Sequence, residues 1–410
     1  MPIRNFGMYA QNRIMHLKVH LHTLGRVCYV LVCSALVASC GGGGGSGSLQ
    51  FAAPVTIALN SNKSALALGE TATITFNLSA PSTNFGLASV KVSGGTLLAL
   101  SGGGQSYIAT FTPALGSTAN GVVSVPSGAF SDATGTFNAD GADANNTVTL
   151  EVNTVTPIVT EVFPDRLAYG LPVIFKISGS NLENGLKVTI DKCAGLVQMP
   201  GGSQTLKSLS CTPSGTGNIS VIASDSTGYS LFNKVFTVPE PRVIFDTSMG
   251  KLTVQLNPTL APVTVQNFLQ YVSEGFYTDT MFHRIVQYSM QQPFSIVQGG
   301  GFSSAAQLKA TRAPIVLEAG NGLSNSRGTI GMARTQVKDS ATSGFYFNVS
   351  DNLAFNQLKA ADGNFISDGY AVFGIIVDGL SVLDKLGAVS TDSNSVPLSK
   401  VLLNSVTRTQ

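Results

Sequence analysis

The sequence is poor in charge, contains no tryptophan and has only four histidines. Charged residues make up 11% of its 410 residues, and the formal net charge is +2. The first 39 residues hold no acidic residue but four basic ones: Arg4, Arg13, Lys18 and Arg26. The rest of the chain has 20 basic and 22 acidic residues, a balance of −2. It lacks the basic surface that binds nucleic acid and the clusters that bind anionic lipid, so we expect no nucleic-acid partner.

The sequence is rich instead in apolar residues, which make up 43% of it, and in glycine, with 44 residues. With so little charge, this composition is typical of folded, glycine-rich β domains rather than of disordered chains. The length of the chain predicts about two to four domains.

The N-terminal segment has the pattern of a targeting signal. Basic residues precede an apolar run over Val27–Val37, which is too short to cross a bilayer as a stable helix. The run continues into Leu36–Cys40, whose sequence LVASC resembles a bacterial lipobox. We therefore expect a lipoprotein signal peptide over residues 1–39 and a lipid on Cys40. The alternative is a simple secretory signal in which the cysteine stands by chance.

The residues after this cysteine resemble a tether. They read GGGGGSGS, a flexible coil with a root-mean-square length of about 15 Å. Residues 40–50 would thus hold a folded domain just off a membrane. Gly41, in place of an aspartate, resembles an outer-membrane sorting signal. We therefore expect a lipid-anchored protein of the cell envelope, in the outer membrane and facing the periplasm or the cell surface.

The remaining cysteines indicate one disulfide. Cys28 and Cys33 leave with the signal and Cys40 carries the lipid, which leaves Cys193 and Cys211. An even pair in an exported chain favours a structural disulfide, and closing this loop is worth about 3 kcal/mol. A redox pair is the less favoured interpretation, because such pairs are usually spaced C-x-x-C.

Residues 51–154 alternate apolar and polar positions in short runs that are separated by Gly, Ser and Asn turns. Predicted strands include Ala72–Phe76, Tyr107–Phe111 and Val122–Val125. This spacing predicts a β-sandwich, and the segment resembles bacterial immunoglobulin-like repeats. The acidic stretch Ser131–Asn146 suggests calcium binding but lacks the spacing of a calcium-binding loop, so we interpret it as a solvated loop.

Residues 155–239 predict a second β-sandwich. The strand-like Val173–Ile177 and the turn at Gly179–Leu182 resemble the IPT/TIG type of immunoglobulin-like fold. Neither β module contains a cluster of titratable groups. Both modules are therefore interpreted as spacers or as platforms for a partner.

Residues 240–410 predict a different architecture. Pro262 stands where the first turn of a helix tolerates proline, and Gly275 can end that helix. A second short helix is predicted over Leu380–Leu386. The apolar runs around these helices have strand length, which predicts a closed barrel that the helices cap. The expected fold class is mainly β: two immunoglobulin-like β-sandwiches, then a closed antiparallel eight-stranded β-barrel with two capping helices.

Ordered motifs in this last domain resemble a known family. They are Phe282-His283-Arg284, Gln298-Gly299-Gly300-Gly301-Phe302, Arg327–Arg334, Asp339–Ser343 and Tyr370–Gly374. Together they resemble cyclophilin-type peptidyl-prolyl cis-trans isomerases, particularly the exported bacterial branch. The resemblance covers Arg242–Gln410.

The resemblance implies rotation about X–Pro bonds of exported polypeptides, which would assist their folding at the envelope. The barrier to this rotation is about 20 kcal/mol. Because no covalent bond is made, we expect no metal and no cofactor. By resemblance, Arg284 hydrogen-bonds the prolyl amide and Gln298 orients its guanidinium. The structural alternatives are a surface salt bridge for Arg284 and a merely structural amide for Gln298.

The resemblance also implies a proline pocket. Its candidate substrate-binding residues are Phe294, Ile296, Ala333, Arg334, Tyr346, Phe355 and Tyr370. The apolar lining residues, each considered alone, could equally be ordinary core. His283 matches a structural residue of the family, so it is not assigned as a base.

Three departures from the family bear on activity. Gly344 stands where a glutamine usually contacts the substrate, and Ser295 stands where a pocket phenylalanine is expected. Whether the neighbouring Phe294 refills that place stays open. The polar run Gln287–Gln292 reads like an insertion before this wall. Losing one contact costs about 1–3 kcal/mol, so we expect an isomerase of reduced activity. We also expect the protein to be a monomer. The alternative function is that of an envelope-anchored binding module or an adhesin.

Overall fold

The computed structural model describes residues 53–139 and 144–409, which form two β-sandwiches followed by a closed β-barrel. The fold is mainly β, so the predicted fold class is confirmed. The expected signal peptide, Cys40 and the tether lie outside the described residues. Within the described ranges, no helix is both long enough and apolar enough to cross a bilayer.

The first sandwich has seven strands: β1 (Ile57–Ser61), β2 (Ala65–Ala67), β3 (Ala72–Ser82), β4 (Lys91–Ser93), β5 (Gly95–Pro113), β6 (Gly121–Ser124) and β7 (Thr147–Asn153). They form two sheets with the orders β1-β3-β5 and β2-β7-β6-β4. The predicted strand Tyr107–Phe111 is the end of the much longer β5. The pairing of β5 with β3 runs from Phe111 to Gly104, which lies opposite Ser82.

The second sandwich also has seven strands: β8 (Ile158–Pro164), β9 (Val173–Ser180), β10 (Lys187–Ile190), β11 (Cys193–Gln198), β12 (Leu206–Pro213), β13 (Gly217–Ser224) and β14 (Ser230–Val238). Their orders are β11-β12-β9-β8 and β10-β13-β14. Cys193 and Cys211 form a disulfide between neighbouring strands, with a Cα–Cα distance of 5.6 Å. Cys211 is buried in the core of this sandwich.

The barrel strands are β15 (Arg242–Thr247), β16 (Gly250–Leu256), β17 (Thr280–Val286), β18 (Ile296–Ser303), β19 (Thr329–Met332), β20 (Phe345–Asn348), β23 (Val372–Asp378) and β24 (Leu402–Arg408). A separate small hairpin joins β21 (Leu358–Lys359) to β22 (Phe365–Ser367). The barrel closes in the order β15-β16-β23-β19-β20-β18-β17-β24, and neighbouring strands are antiparallel. This order places β17, β18, β20 and β19 side by side.

Aromatic side chains fill the inside of the barrel. Phe345 packs against neighbouring rings with centroid distances of 5.3 Å to Phe245 and 5.6 Å to Phe347. Helix α1 (Pro262–Ser273) adds Phe268 to the same core cluster, and helix α2 (Leu380–Gly387) adds Leu383 and Leu386. The two helices therefore cap the barrel core, as the sequence predicts.

Helix α1 begins without a capping side chain of its own. Its N-cap residue is Ala261, which makes no side-chain hydrogen bond. The carboxylate of Glu318 takes this role from a distant loop and accepts hydrogen bonds from the amides of Val263 and Thr264, at 3.0 and 2.8 Å. A carboxylate at this end also complements the helix dipole. At the other end Gly275 adopts a φ of +65°, which is the left-handed conformation that ends many helices.

Candidate active site

A β-bulge sets the direction of Arg284. Phe282 pairs with Gly299, and Arg284 pairs with Gln298, the neighbouring residue on β18. His283 is therefore an extra residue in β17 at this point. Phe282 and Ile285 both belong to the inner core. In a regular strand without this bulge, Arg284, two positions after Phe282, would point into that core as well. The bulge instead turns Arg284 to the outer face of the barrel, as bulges near functional sites often do.

Arg284 and Gln298 form a polar pair on this outer face. The Nη1 atom of Arg284 donates to Oε1 of Gln298 at 3.4 Å, and both side chains are half-buried. No carboxylate of the described residues lies within ion-pairing distance of this guanidinium. In the described chain Arg284 is therefore not a salt-bridge residue, and its other N–H groups can meet a ligand.

An apolar cluster lies beside this pair, outside the barrel core. Val286, Ile296 and Tyr346 are its buried members. Half-buried side chains pack against them: Phe294, Ala333, Phe355 and Tyr370. Gln298 pairs directly with Tyr346 across β18 and β20, so the polar pair borders the cluster. The structure thus brings together all the apolar residues that the sequence assigns to the proline pocket.

Phe294 packs in the apolar cluster and is followed directly by the buried Ser295. Its ring packs on Phe355 with a centroid distance of 5.0 Å. Ser295 is itself buried, and its hydroxyl donates a hydrogen bond to the backbone carbonyl of Val286 at 3.1 Å. Its amide donates to Oδ1 of Asn352. The structure thus places Phe294 in the apolar cluster and Ser295 in hydrogen bonds with its surroundings.

Buried asparagines hold the pocket wall from below. The hydroxyl of Tyr346 donates to Oδ1 of Asn325 at 2.6 Å, and Nδ2 of Asn348 donates to the same oxygen at 3.2 Å. Asn325 in turn donates to Asn356 at 3.0 Å, in the turn that follows Phe355. Burial raises the pKa of Tyr346 well above its ordinary value, so this hydroxyl stays a donor. Sequence reasoning missed Asn325, since a lone asparagine in a loop carries no pattern.

Arg334 does not project freely into the site. Its Nε and Nη2 atoms donate to the carbonyl of Gly369 at 2.9 and 2.8 Å. Its guanidinium lies over the ring of Tyr370, 4.5 Å from the centroid. The side chain therefore orients Tyr370, one of the pocket walls, and its charge is engaged within the protein.

His283, the residue in the bulge, is neutral at neutral pH. Burial, helped by the charge of Arg284, lowers its pKa from 6.5 to about 4. Its ring packs on Phe302 at 4.6 Å, and its buried Nδ1 has no hydrogen-bond partner among the described residues. These features fit the structural role given to it by resemblance rather than that of a base.

Gly344 leaves open space beside the polar pair. A Cβ placed on it would lie 3.4 Å from Cβ of Ala333 and 3.9 Å from the carbonyl of Gly299, which are ordinary contacts. Gly331, which pairs with Tyr346, is different: a Cβ there would lie 2.5 Å from the Tyr346 hydroxyl. Gly331 is thus required by packing, whereas Gly344 is not.

Comparison with known proteins identifies this domain. The family model described as "Cyclophilin type peptidyl-prolyl cis-trans isomerase/CLD" matches residues 242–408. Peptidyl-prolyl cis-trans isomerase A of Dickeya dadantii is 47% identical over 167 residues, which are 40% of this chain and 82% of that protein. Peptidyl-prolyl cis-trans isomerase B of Escherichia coli is 43% identical over 169 residues, which are 40% of this chain and 98% of that protein. The chain belongs to the cyclophilin-type peptidyl-prolyl cis-trans isomerase family.

The region before the cyclophilin domain is matched separately. A family model described as "Bacterial Ig-like domain" matches residues 52–151, which include six strands of the first sandwich and most of the seventh. The first sandwich is therefore a bacterial immunoglobulin-like domain.

The cyclophilin site combines a cation with a rigid apolar recess. The guanidinium can donate to a carbonyl oxygen or to a nitrogen that gains a lone pair, and the aromatic walls can hold an apolar ring. Among the described residues, no group of His, Cys, Asp and Glu side chains could hold a metal ion. The arrangement suits binding and rotation of a peptide bond.

Proposed function

We propose that the protein is a peptidyl-prolyl cis-trans isomerase that acts on X–Pro bonds of exported proteins and assists their folding at the cell envelope. Membership of the cyclophilin family supports the isomerase activity. The observation that carries the assignment is the guanidinium of Arg284, which Gln298 holds at the edge of an apolar pocket.

The pocket and the guanidinium have separate tasks in this reaction. The proline ring rests against the wall that Phe294, Ile296 and Phe355 form, while the preceding residue rotates. Rotation breaks amide resonance and localises a lone pair on the prolyl nitrogen, and the barrier is about 20 kcal/mol. Arg284 donates a hydrogen bond that is stronger to this nitrogen than to the planar amide. The site thus binds the twisted state more tightly than either planar one, which is the condition for catalysis.

The decisive test compares the full chain with Arg284→Ala on an X–Pro peptide. Removing a donor that acts mainly on the transition state typically lowers the rate by about a hundredfold or more. Arg284→Lys is the matched control, because it keeps the charge but loses the planar donor geometry; we expect an intermediate rate. Equal rates for the full chain and Arg284→Ala, neither faster than buffer, would contradict the proposal.

A second function, binding without efficient isomerisation, is favoured by one observation. Gly344 supplies no side chain where the family usually has a glutamine that contacts the substrate. In that case labelled X–Pro peptides would bind the full chain while the rate of isomerisation stayed near that of buffer. The same pair of measurements therefore separates the enzyme from the binding module.

The envelope location is proposed from the sequence. The signal-like pattern of residues 1–39, the lipobox-like sequence that ends at Cys40 and the glycine-rich residues after it support a lipid anchor. The second sandwich resembles IPT/TIG modules and would serve as a spacer or as a platform for a partner. Fractionation of cells that produce the full chain or Cys40→Ser tests the anchor. Recovery of both proteins in the membrane fraction would contradict it.

A further inference from the structure

Two loops leave the apolar pocket and return to it. The first runs over residues 287–293, between Val286 and Phe294, and the second over residues 356–369, between Phe355 and Tyr370. All four bounding side chains belong to the pocket cluster. Both loops are therefore anchored at each end in the pocket cluster.

Both loops expose large apolar side chains. Five of these side chains, together with that of Leu353 in the turn before Phe355, form a surface that we call the apolar rim. Its six residues are Tyr288, Met290, Leu353, Leu358, Phe365 and Ile366. Each is more than half exposed, from 53% for Leu358 to 96% for Met290. The first loop contains no charged residue. Exposed apolar groups that continue a binding pocket mark an interaction surface.

The first loop is held in position rather than loose. The side-chain amide of Gln287 donates to the carbonyls of Gly387 and Val389, at 3.1 and 3.2 Å. Backbone hydrogen bonds between Ser289 and Gln292 close the turn in both directions. The exposure of Tyr288 and Met290 is therefore a consequence of fixed backbone geometry.

The second loop contains a hairpin with no sheet beneath it. Strands β21 and β22 pair only with each other. Phe365 and Ile366 are consecutive, so they point to opposite faces of this hairpin, and both are exposed. A two-stranded hairpin is only marginally stable in isolation, and a partner lying along it would cover this surface.

We propose that the apolar rim binds bulky apolar residues of the client within about four positions of the proline, and so selects hydrophobic segments of unfolded polypeptides. This inference rests on the proposed isomerase function, because the same client occupies the pocket. An extended chain advances about 3.3–3.6 Å per residue, so the residues that flank a proline in the pocket can reach the two loops that begin and end there. The occupant is therefore the client itself rather than a separate protein.

The test uses the full chain and two X–Pro peptides that differ only in the residues flanking the proline, which are Leu and Phe in one and Ser in the other. We expect kcat/KM to be about tenfold higher for the apolar peptide, equivalent to about 1.4 kcal/mol. Met290→Ser with Phe365→Ser should remove this preference and leave the rate on the polar peptide unchanged. The matched control is Leu115→Ser with Val197→Ser, at residues that are 81% and 56% exposed on the two β modules.

Three outcomes would overturn the inference. They are no preference in the full chain, a preference that survives in the rim variant, or a concentration-dependent dimer that only the rim variant loses. Affinities of labelled peptides give a second readout. If neither peptide is isomerised, the proposed function fails, but a binding preference that the rim variant loses would still support the rim.

Discussion

The two faces of the barrel wall use the same strands for different purposes. On β20, Phe345 and Phe347 point into the barrel and Tyr346 points out, and all three are at most 2% exposed. The inner residues join a closed core that two helices cap. The outer residue joins a small cluster that only loops cover. Burial alone therefore does not distinguish core from site in this domain.

Polar neighbours make the difference between the two faces. The inner rings meet mainly other apolar side chains. The outer cluster is bordered by Arg284 and Gln298, and the hydroxyl of Tyr346 is tied to Asn325. An aromatic residue that is fixed by a buried hydrogen bond keeps its orientation, which a ligand-binding wall requires. The inner face thus stabilises the fold, and the outer face holds the side chains of the site in fixed orientations.

Substitution of an inner ring should have the largest effect on stability. Phe345→Ala removes a ring that packs against Phe245 and Phe347, and such truncations cost about 3–5 kcal/mol. The matched outer change, Tyr346→Phe, removes one hydrogen bond and should cost about 1 kcal/mol. Urea unfolding followed by near-ultraviolet circular dichroism measures both. Equal losses for the two variants would show that the faces are not distinct.

The bulge residue His283 should make stability depend on pH. Its pKa is about 4 in the folded chain and its ordinary value is 6.5, so between these values only the unfolded chain binds the proton. Stability is therefore present at neutral pH and is lost as the pH falls. Between pH 7 and 5 the loss should be about 2 kcal/mol.

His283→Gln is the variant that isolates this effect. It removes the titrating group, so its unfolding free energy should change less between pH 7 and 5 than that of the parent chain. The carboxylates whose pKa values lie below their ordinary range, such as Asp225 and Glu274, titrate below this window. An identical pH dependence in both proteins would rule out a neutral, buried His283.

Much of the fold could be predicted because its patterns are local. Helix α1 begins at Pro262 as predicted, with apolar residues at helical spacing, and Gly275 stands in the left-handed conformation just after it. The strands of the barrel were predicted from apolar runs of the right length. The predicted strand Tyr107–Phe111 was too short, because the pairing of β5 with β3 continues to Gly104, through residues whose composition is that of a turn.

The site was harder to predict because it depends on register. The bulge had one signal in the sequence: the inner residues Phe282 and Ile285 are three positions apart, which breaks the two-residue period of a strand. The sequence carries no such signal for the packing of Phe294 on Phe355. It carries none for the hydrogen bond from Tyr346 to Asn325 either. Both depend on how loops travel over the barrel surface.

Filling the open space at Gly344 should have the smallest effect and the opposite sign. The Cβ of Gly344→Gln would make only ordinary contacts with Ala333, so the fold should accept it. The new amide would lie beside the polar pair and could contact the peptide backbone. One added hydrogen bond is worth about 0.5–1.5 kcal/mol, so kcat/KM should rise by up to about tenfold.

Gly331→Ala is the control for this gain, since it places a methyl group on the adjacent strand of the same outer face. There the Cβ would lie 2.5 Å from the Tyr346 hydroxyl, and the ring would have to move. We therefore expect Gly331→Ala to lower kcat/KM, because it displaces a wall of the pocket. If both variants changed the rate in the same direction, the space at Gly344 would not be part of the peptide-binding surface. A rise in kcat/KM for Gly344→Gln and a fall for Gly331→Ala would show that the outer face limits the activity. The missing side chain at Gly344 would then lower the rate although the barrel core is intact.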